Sequence, residues 1–127
     1  MTRRTSVSHA VELRVDVARV PLVRTMAAAI AMREDYDVES IADLKLIVEE
    51  VCALLVRRAA PECPLDCRFD IGDENIGFTV RVKATTPAPI DQTQLGWRLL
   101  AALVDHVEQT ADDGGLCVGV RLGKGPR

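Results

Sequence analysis

Residues 65–82 carry the pattern that most restricts what this chain can fold into. Leu65, Cys67, Phe69 and Ile71 alternate with Asp66, Arg68 and Asp70. After the polar tetrapeptide Gly72-Asp73-Glu74-Asn75, Ile76, Phe78, Val80 and Val82 alternate with Gly77, Thr79, Arg81 and Lys83. Successive side chains of a strand point to opposite faces, so each run has one apolar and one polar face. Joined by a short polar turn, the runs predict an antiparallel hairpin that needs a cover on one side only.

The same period-two pattern occurs twice more. Val11, Leu13, Val15 and Val17 alternate with Glu12, Arg14 and Asp16, and Leu116, Val118, Val120 and Leu122 predict a last strand after the turn Asp112-Asp113-Gly114-Gly115. Between the first strand and the hairpin the period changes to that of a helix. Pro21 suits a first helical turn, and Leu22, Met26, Ala29 and Ile30 make an apolar face ending near residues 33–35. Ala27, Ala28, Ala29 and Ala31 would let that helix approach a neighbour closely. Asp37 is placed to cap a second helix, with Glu39 in its first turn. Ile41, Leu44, Val48, Val51, Cys52 and Leu55 recur at three- and four-residue steps, which predicts a helix over Val38–Ala59, stopped by Pro61 and Pro64. A third helix is expected over Leu95–Thr110, with His106 inside it.

The expected order is β-α-α-β-β-α-β. Four half-apolar strands and three striped helices predict an α+β fold, with the helices on one face of a largely antiparallel four-stranded sheet. Residues 11–123 read as one domain, residues 1–10 as a flexible leading segment and residues 124–127 as a flexible tail. The chain of 127 residues is long enough to bury a core, and with 3% aromatics that core is aliphatic. A net charge of -3 gives no electrostatic reason to expect nucleic acid or an anionic membrane as partner. The arginines near the N-terminus have no apolar run behind them, and no run is long enough to span a bilayer. A cytoplasmic location is expected. Cys63 and Cys67 lie four apart, but no second pair or nearby histidine completes a metal site. They read as structural thiols, like Cys52; Cys117 is expected to face outward. Trp97, the one tryptophan, reads as a core anchor more readily than an interface anchor.

The element order and the stretch Ala42-Asp43-Leu44-Lys45-Leu46-Ile47-Val48-Glu49-Glu50-Val51-Cys52-Ala53-Leu54-Leu55-Val56-Arg57-Arg58-Ala59 resemble the RsbW-type anti-sigma factors and serine-protein kinases of the histidine-kinase-like (GHKL) ATPase superfamily. The resemblance spans Val11 to about Leu122 and implies a two-layer α/β sandwich of the Bergerat type. In that family the second helix carries E-x-x-x-N followed by A-x-x-H; the glutamate is a general base and the asparagine holds the magnesium that bridges the ATP phosphates. Glu50 falls on the glutamate position, Leu54 on the asparagine and Arg58 on the histidine. Glu49 has no motif role and reads as a surface charge. The family's D-x-G-x-G, which reads adenine, would follow the third strand. No aspartate lies between Asn75 and Pro89; Thr85 or Thr86 offers only a hydroxyl, and Pro87 and Pro89 would stiffen a loop that elsewhere closes over nucleotide. The phosphate-cradling G-x-G before the third helix is represented by Gln94, Leu95 and Gly96. Gly115 is expected in the turn before the last strand.

The resemblance therefore implies a frame retained and a nucleotide site largely lost. No cofactor is expected; ATP with magnesium is the candidate if any binds. The implied function is an anti-sigma factor that sequesters an alternative sigma factor and is released by an anti-anti-sigma (STAS-domain) partner, with little or no kinase activity. It further implies a homodimer, and partner contacts near the first strand and helix, where Arg14, Asp16, Arg19, Arg24 and Arg33 lie. Two alternatives stand beside it. One is an active serine kinase of the same family that phosphorylates its antagonist through Glu50. The other is a small dimeric ligand-sensing domain of the ACT type, against which two consecutive helices before the second strand count.

Overall fold

The computed structural model describes residues 9–86 and 88–125. The expectations placed on residues 1–8, Pro87 and residues 126–127 lie outside the described residues. Five strands form one antiparallel sheet: β1 (His9–Val15), β2 (Leu65–Ile71), β3 (Asn75–Lys83), β4 (His106–Asp112) and β5 (Gly115–Gly123). Their spatial order is β1-β2-β3-β5-β4, so β1 and β4 are the two edges. Three helices, α1 (Val20–Arg33), α2 (Val38–Val56) and α3 (Leu95–Leu103), complete the fold, and the apolar sides of the sheet and helices close on one shared core.

The hairpin forms in the register its alternation dictates, with Phe69 opposite Phe78 and Cys67 opposite Val80. Phe69 and Phe78 are fully buried, and their ring centroids lie 4.7 Å apart at an interplanar angle of 36°. Such tilted pairs add modestly to the gain from burial alone. The opposite face of the sheet is polar. Arg14 meets Asp66 across β1 and β2 at 2.7 Å, Arg68 meets Glu12 at 3.1 Å, and Arg81 on β3 reaches Asp112 on β4 at 2.8 Å. These pairs are exposed, so each contributes little to stability.

Helix α2 begins as expected. The Asp37 side chain accepts the N–H of Ser40 at 2.7 Å, satisfying one of the free donors of the first turn. That bond holds the Asp37 carboxyl below its ordinary range, because the backbone donor favours the charged form. Leu44, Ile47, Val48, Val51, Leu54 and Leu55 are all buried on this helix. Cys52 on α2 lies against Cys67 on β2; interaction with that thiol, then burial, push the Cys52 thiol up. All four cysteines are free.

Several details depart from the expectations. Val17 is 55% exposed and starts a 3-10 turn, Val17–Arg19, rather than ending β1. Asp16 closes that turn by accepting the Arg19 N–H. The buried face of α1 is Val23, Ala27, Ile30 and Ala31, while Leu22 and Ala29 point outward. Of the alanines, Ala27 and Ala31 are on the buried side. Helix α2 stops at Val56, short of Ala59 and ahead of Pro61 and Pro64. Ala59 instead bridges Ala84, and the Ala60 N–H goes to the Lys83 carbonyl at 2.7 Å, so sheet-like bonds replace helical ones there.

The third helix ends at Leu103, and residues 106–112 form the fifth strand. His106 is therefore a strand residue, 2.9 Å from Glu108. The β4–β5 hairpin closes through Asp113 and Gly114, whose φ of 76° is open to glycine. Gly115 is not in the turn but is the buried first residue of β5, where a Cβ would collide with the Arg81 guanidinium. At the chain ends, His9 and Ala10 belong to β1, and the Lys124 N–H bonds the Glu74 carbonyl at 2.8 Å. Among the described residues no helix is long and apolar enough to cross a membrane.

Two outcomes follow from this packing. A water-soluble thiol reagent should label Cys63 and Cys117, which are partly exposed, in the native protein, and Cys52 and Cys67 only after denaturant is added. Equal reactivity of all four would contradict the buried helix–strand placement. Asp37→Ala should lower the melting temperature at neutral pH. Because the folded carboxyl titrates below its unfolded value, the cap's contribution is complete above about pH 4 and disappears as pH falls through the folded value. The difference in melting temperature between the two proteins should therefore close in acid, and a constant difference would refute the cap.

Candidate functional site

Helix α2 and the start of α3 bring the motif positions together. A Cβ added to Gly96 would lie 2.8 Å from Glu50 Oε2 and 3.1 Å from Leu54 Cδ2. Glycine is thus what lets the first turn of α3 lie against this part of α2. Four-residue spacing puts Glu50 and Leu54 on one side of α2, and Arg58 follows in the turn just past the helix end at Val56.

The three residues differ in environment. Glu50 is partly exposed, at the boundary between helix surface and core. Leu54 is 2% exposed and belongs to the main core. Its side chain holds no oxygen, so it cannot act as a ligand to magnesium, which takes oxygen donors. Among the described residues no group of three or more His, Cys, Asp or Glu side chains is placed to hold a metal ion. The residues present therefore do not fit the metal that the family's motif would bind. Glu49 is exposed and pairs with Arg24 of α1 at 3.2 Å, the surface role expected of it.

Arg58 does something the motif comparison missed. Its Nη2 donates to the Thr86 carbonyl at 3.0 Å and also to the Ala88 carbonyl. The Arg58 carbonyl in turn accepts the Thr85 N–H at 3.3 Å. From the other side Gln109 of β4 grips Ile90: the Ile90 N–H donates to Oε1 at 2.8 Å, and Nε2 donates to the Ile90 carbonyl at 3.0 Å. Ile90 itself is 3% exposed. Asp91 then accepts from both the N–H and the hydroxyl of Thr93, at 2.9 and 2.7 Å. Those two bonds, the backbone one first, lower the Asp91 pKa. Gln109 had no motif to mark it, and its role depends on a strand that the helical reading hid. Thr85 and Thr86 are exposed, as is Pro89.

Gln94 is the N-cap residue of α3, without a capping side-chain bond, and Leu95 behind it is 82% exposed. Trp97 is buried at 6% and is a core residue. Of the charged positions near the first strand and helix, Arg14 is on the bare face of the sheet, paired with Asp66. Arg19 pairs with Asp16 at 2.8 Å and Arg24 with Glu49. Arg33 is exposed in the last turn of α1. The fold does not gather these residues into one patch: Arg14 lies on the sheet face away from the helices that carry Arg24 and Arg33. Beside Arg14, a cavity of about 540 Å³ opens on that face, lined by residues that include Arg68, Thr79, Arg81 and Cys117. Cys117 thus faces outward as expected, and burial raises its pKa in spite of Arg81 nearby.

Comparison with known proteins agrees with this frame. Residues 13–122 match the family described as the histidine kinase-like ATPase domain. The anti-sigma-F factor RsbW from two strains of Mycobacterium tuberculosis is 36% identical to the chain over 108 residues, which is 84% of this chain and 64% of that protein. The chain thus spans just under two thirds of the length of these relatives. The crystal structure of the RsbU and RsbW domains of a Mycobacterium tuberculosis protein superposes with a TM-score of 0.67 at 17% identity, over 93% of this chain and 33% of that one. The extra strand β4 is a correction of the expected strand count within the same two-layer α+β arrangement. With a matched family that covers nearly every strand and helix described above, the chain belongs to the histidine kinase-like ATPase domain family.

Proposed function

We propose that this chain is an anti-sigma factor that acts by binding: it sequesters an alternative sigma factor, is released by an anti-anti-sigma partner of the STAS type, and has little or no ATP-dependent kinase activity. The observation that carries this reading is Leu54, a buried hydrocarbon one helical turn beyond Glu50, where the resemblance calls for the metal-bearing asparagine. A phosphoryl-transfer site relies on its metal to offset the charge that develops on the moving group. Glu50 alone supplies a proton acceptor without that electrostatic support. The lack of an aspartate between Asn75 and Pro89 removes the adenine contact as well.

The binding role is supported by the relatives. Relatives 36% identical to this chain carry the name anti-sigma-F factor RsbW, and sequestration needs a surface rather than a reaction. We assign that surface to β1 and α1. Strand β1 is a sheet edge, with backbone groups open to pairing along one side. The outer side of α1 carries Leu22 at 56% exposure and Met32 at 62%, with Thr25 and Ala29 between them and no charge in the stripe. We assign this uncharged stripe to a homodimer. Of the charged positions singled out in the sequence, Arg24 and Arg33 are on α1 itself, Asp16 and Arg19 lie just before it, and Arg14 is on the far face of the sheet. Charges on a rim steer a partner and set specificity more than they add affinity, and the intramolecular pairs of Arg14, Arg19 and Arg24 hold those side chains in place beforehand. The cytoplasm, where sigma factors work, is the location that fits.

Calorimetry should detect no binding of MgATP at micromolar affinity, and no phosphate should pass to a co-expressed STAS protein. Micromolar affinity with transfer would establish the kinase reading instead. Glu50→Ala should leave capture of the sigma factor within about twofold of wild type, since surface changes away from an interface rarely exceed ~0.5 kcal/mol. Loss of capture with the fold intact would show that Glu50 contributes to the working surface. For the homodimer, light scattering at micromolar concentration should report twice the chain mass, and the double variant Leu22→Glu/Met32→Glu should report the chain mass. A monomeric wild type would remove the assignment of this stripe.

A further inference from the structure

Strand β1 is an edge whose pairing with β2 runs unbroken, from His9 opposite Ile71 to Val15 opposite Leu65. Bulges, prolines and charges turned toward the core are devices that keep an edge from accepting another strand, and Val11–Val15 has none of them. The core side of β1 is the apolar row Val11, Leu13 and Val15, of which the first two are only half-buried. On the other edge, β4, the corresponding row has Gln109 at its middle, and that side chain is engaged with Ile90. Of the two edges, β1 is the one suited to receive a strand.

The charges on the outer side of β1 fit a second copy of the same strand. Two identical antiparallel strands in one sheet are related by a twofold axis normal to it, so both helical layers fall on one side and one residue faces its own copy. Three axis positions oppose at least five residues of His9–Val15: Val11, Glu12 and Leu13. An axis at Glu12 sets that carboxylate against itself, and one at Val11 sets Glu12 against Ala10. An axis at Leu13 sets Glu12 of each copy against Arg14 of the other, with Val11 against Val15. Asp66, Arg14, Glu12 and Arg68 would then alternate in sign across four adjoining strands. Arg14 and Glu12 have room for this second contact, at 72% and 69% exposure. A guanidinium carries five N–H donors, and the Nε bond to Asp66 uses one. The helical layer agrees with such an axis. Arg24 marks the α2 side of α1 by its pair with Glu49, and at 3.6 residues per turn Leu22 and Ala29 fall on roughly the opposite side. Helix α2 lies over β3 and β5, and α1 over β2, so that opposite side looks toward the β1 edge. The uncharged stripes of two copies would face each other across the axis.

We propose that Glu12 and Arg14 set the register of an antiparallel pairing of β1 with β1 of a second copy, with Leu13 on the twofold axis. This deepens the homodimer assigned above and rests on it. Exposed ion pairs add little affinity, but opposed like charges in a ladder are unfavourable, so the four charges select one register while the backbone ladder and the α1 stripes hold the copies together. The edge is closed in this dimer, and capture of the sigma factor falls to α1 and the turn before it, where Asp16, Arg19, Arg24 and Arg33 lie.

Sedimentation of the full chain at low salt tests the register by exchange of charge. Glu12→Lys and Arg14→Glu each oppose like charges twice in their own homodimer, and each should raise the dimer dissociation constant by about tenfold. In a mixed dimer of the two variants both opposed pairs have opposite signs again, so an equal mixture should return to within about threefold of wild type. High salt should narrow these differences. Melting curves report whether each variant is folded. A second readout uses bridging of thiols. In a Cys63→Ser/Cys117→Ser background, a short thiol-bridging reagent should join the Glu12→Cys chain to the Arg14→Cys chain in preference to joining either chain to itself, because 12 faces 14 directly and its own copy only diagonally.

A mixture that associates no more tightly than the separate variants overturns the register while a dimeric wild type keeps the homodimer. Bridging of each cysteine variant to itself, with none between the two, has the same meaning. A wild type that stays monomeric removes homodimer and register together. A β1 edge that becomes protected only when a sigma factor is added belongs to that partner and overturns the proposal.

Discussion

The burial of α2 is the constraint on which the rest of the structure depends. This helix packs against α1, α3 and the central strands β3 and β5, so its apolar residues face more than one neighbour. Leu44, Ile47, Val48, Val51 and Leu55 are between 0% and 1% exposed. Fully burying such side chains contributes about 1.5–3 kcal/mol each, an upper bound because a real unfolded chain already hides part of its surface. A helix held on several sides cannot rotate or slide without opening voids in a close-packed interior. Its remaining side is therefore fixed too, and Glu50 and Leu54 stand where the packing puts them.

This separates the frame from the motif positions. The residues that set the pose of α2 are not those that would hold nucleotide, with Leu54 as the exception. A side chain at that position facing a metal site would need oxygen and access to water. Leucine instead adds to the core and is 2% exposed. An asparagine placed there now would have to find partners for its amide or bear the cost of burying it unpaired. The contact between Gly96 and α2 is the counterpart: a close approach that suits phosphate binding also suits plain helix packing, so the glycine by itself does not separate the two uses.

Much of the fold was legible because the patterns that produce it are local. Alternation located β2, β3 and β5, Asp37 located the start of α2, and Pro21 the first turn of α1. The misses have physical causes. Residues 104–110 include Val104 and Val107 at a helical step of three, which carried the third helix past its end. The short turn at Asp113 and Gly114, a recognised hairpin signal, pointed to a strand on each side of it. On α1, small alanines made the apolar face ambiguous, and burial chose Val23 and Ala27 over Leu22 and Ala29. In the site, motif spacing gave the convergence of Glu50, Leu54 and Gly96. The partners of Arg58 and the grip of Gln109 were not legible, because they join segments whose proximity only the folded sheet creates.

The missed strand bears directly on the loop. Had residues 106–110 been helical, Gln109 would face α3's own surroundings and Ile90 would have no partner there. As the edge of the sheet, β4 faces one way toward β5 and on its other side meets the connection that leads into α3. An edge strand carries unpaired backbone groups and invites further pairing. The reciprocal bonds between Ile90 and Gln109 are made by the Gln109 side-chain amide, so they tie residue 90 to β4 without pairing the strand's backbone edge. The other edge is β1, which pairs with β2 alone among the described strands. The two ends of the sheet therefore differ: the β4 end is tied to residue 90 through Gln109, and the β1 end is the edge beside β2.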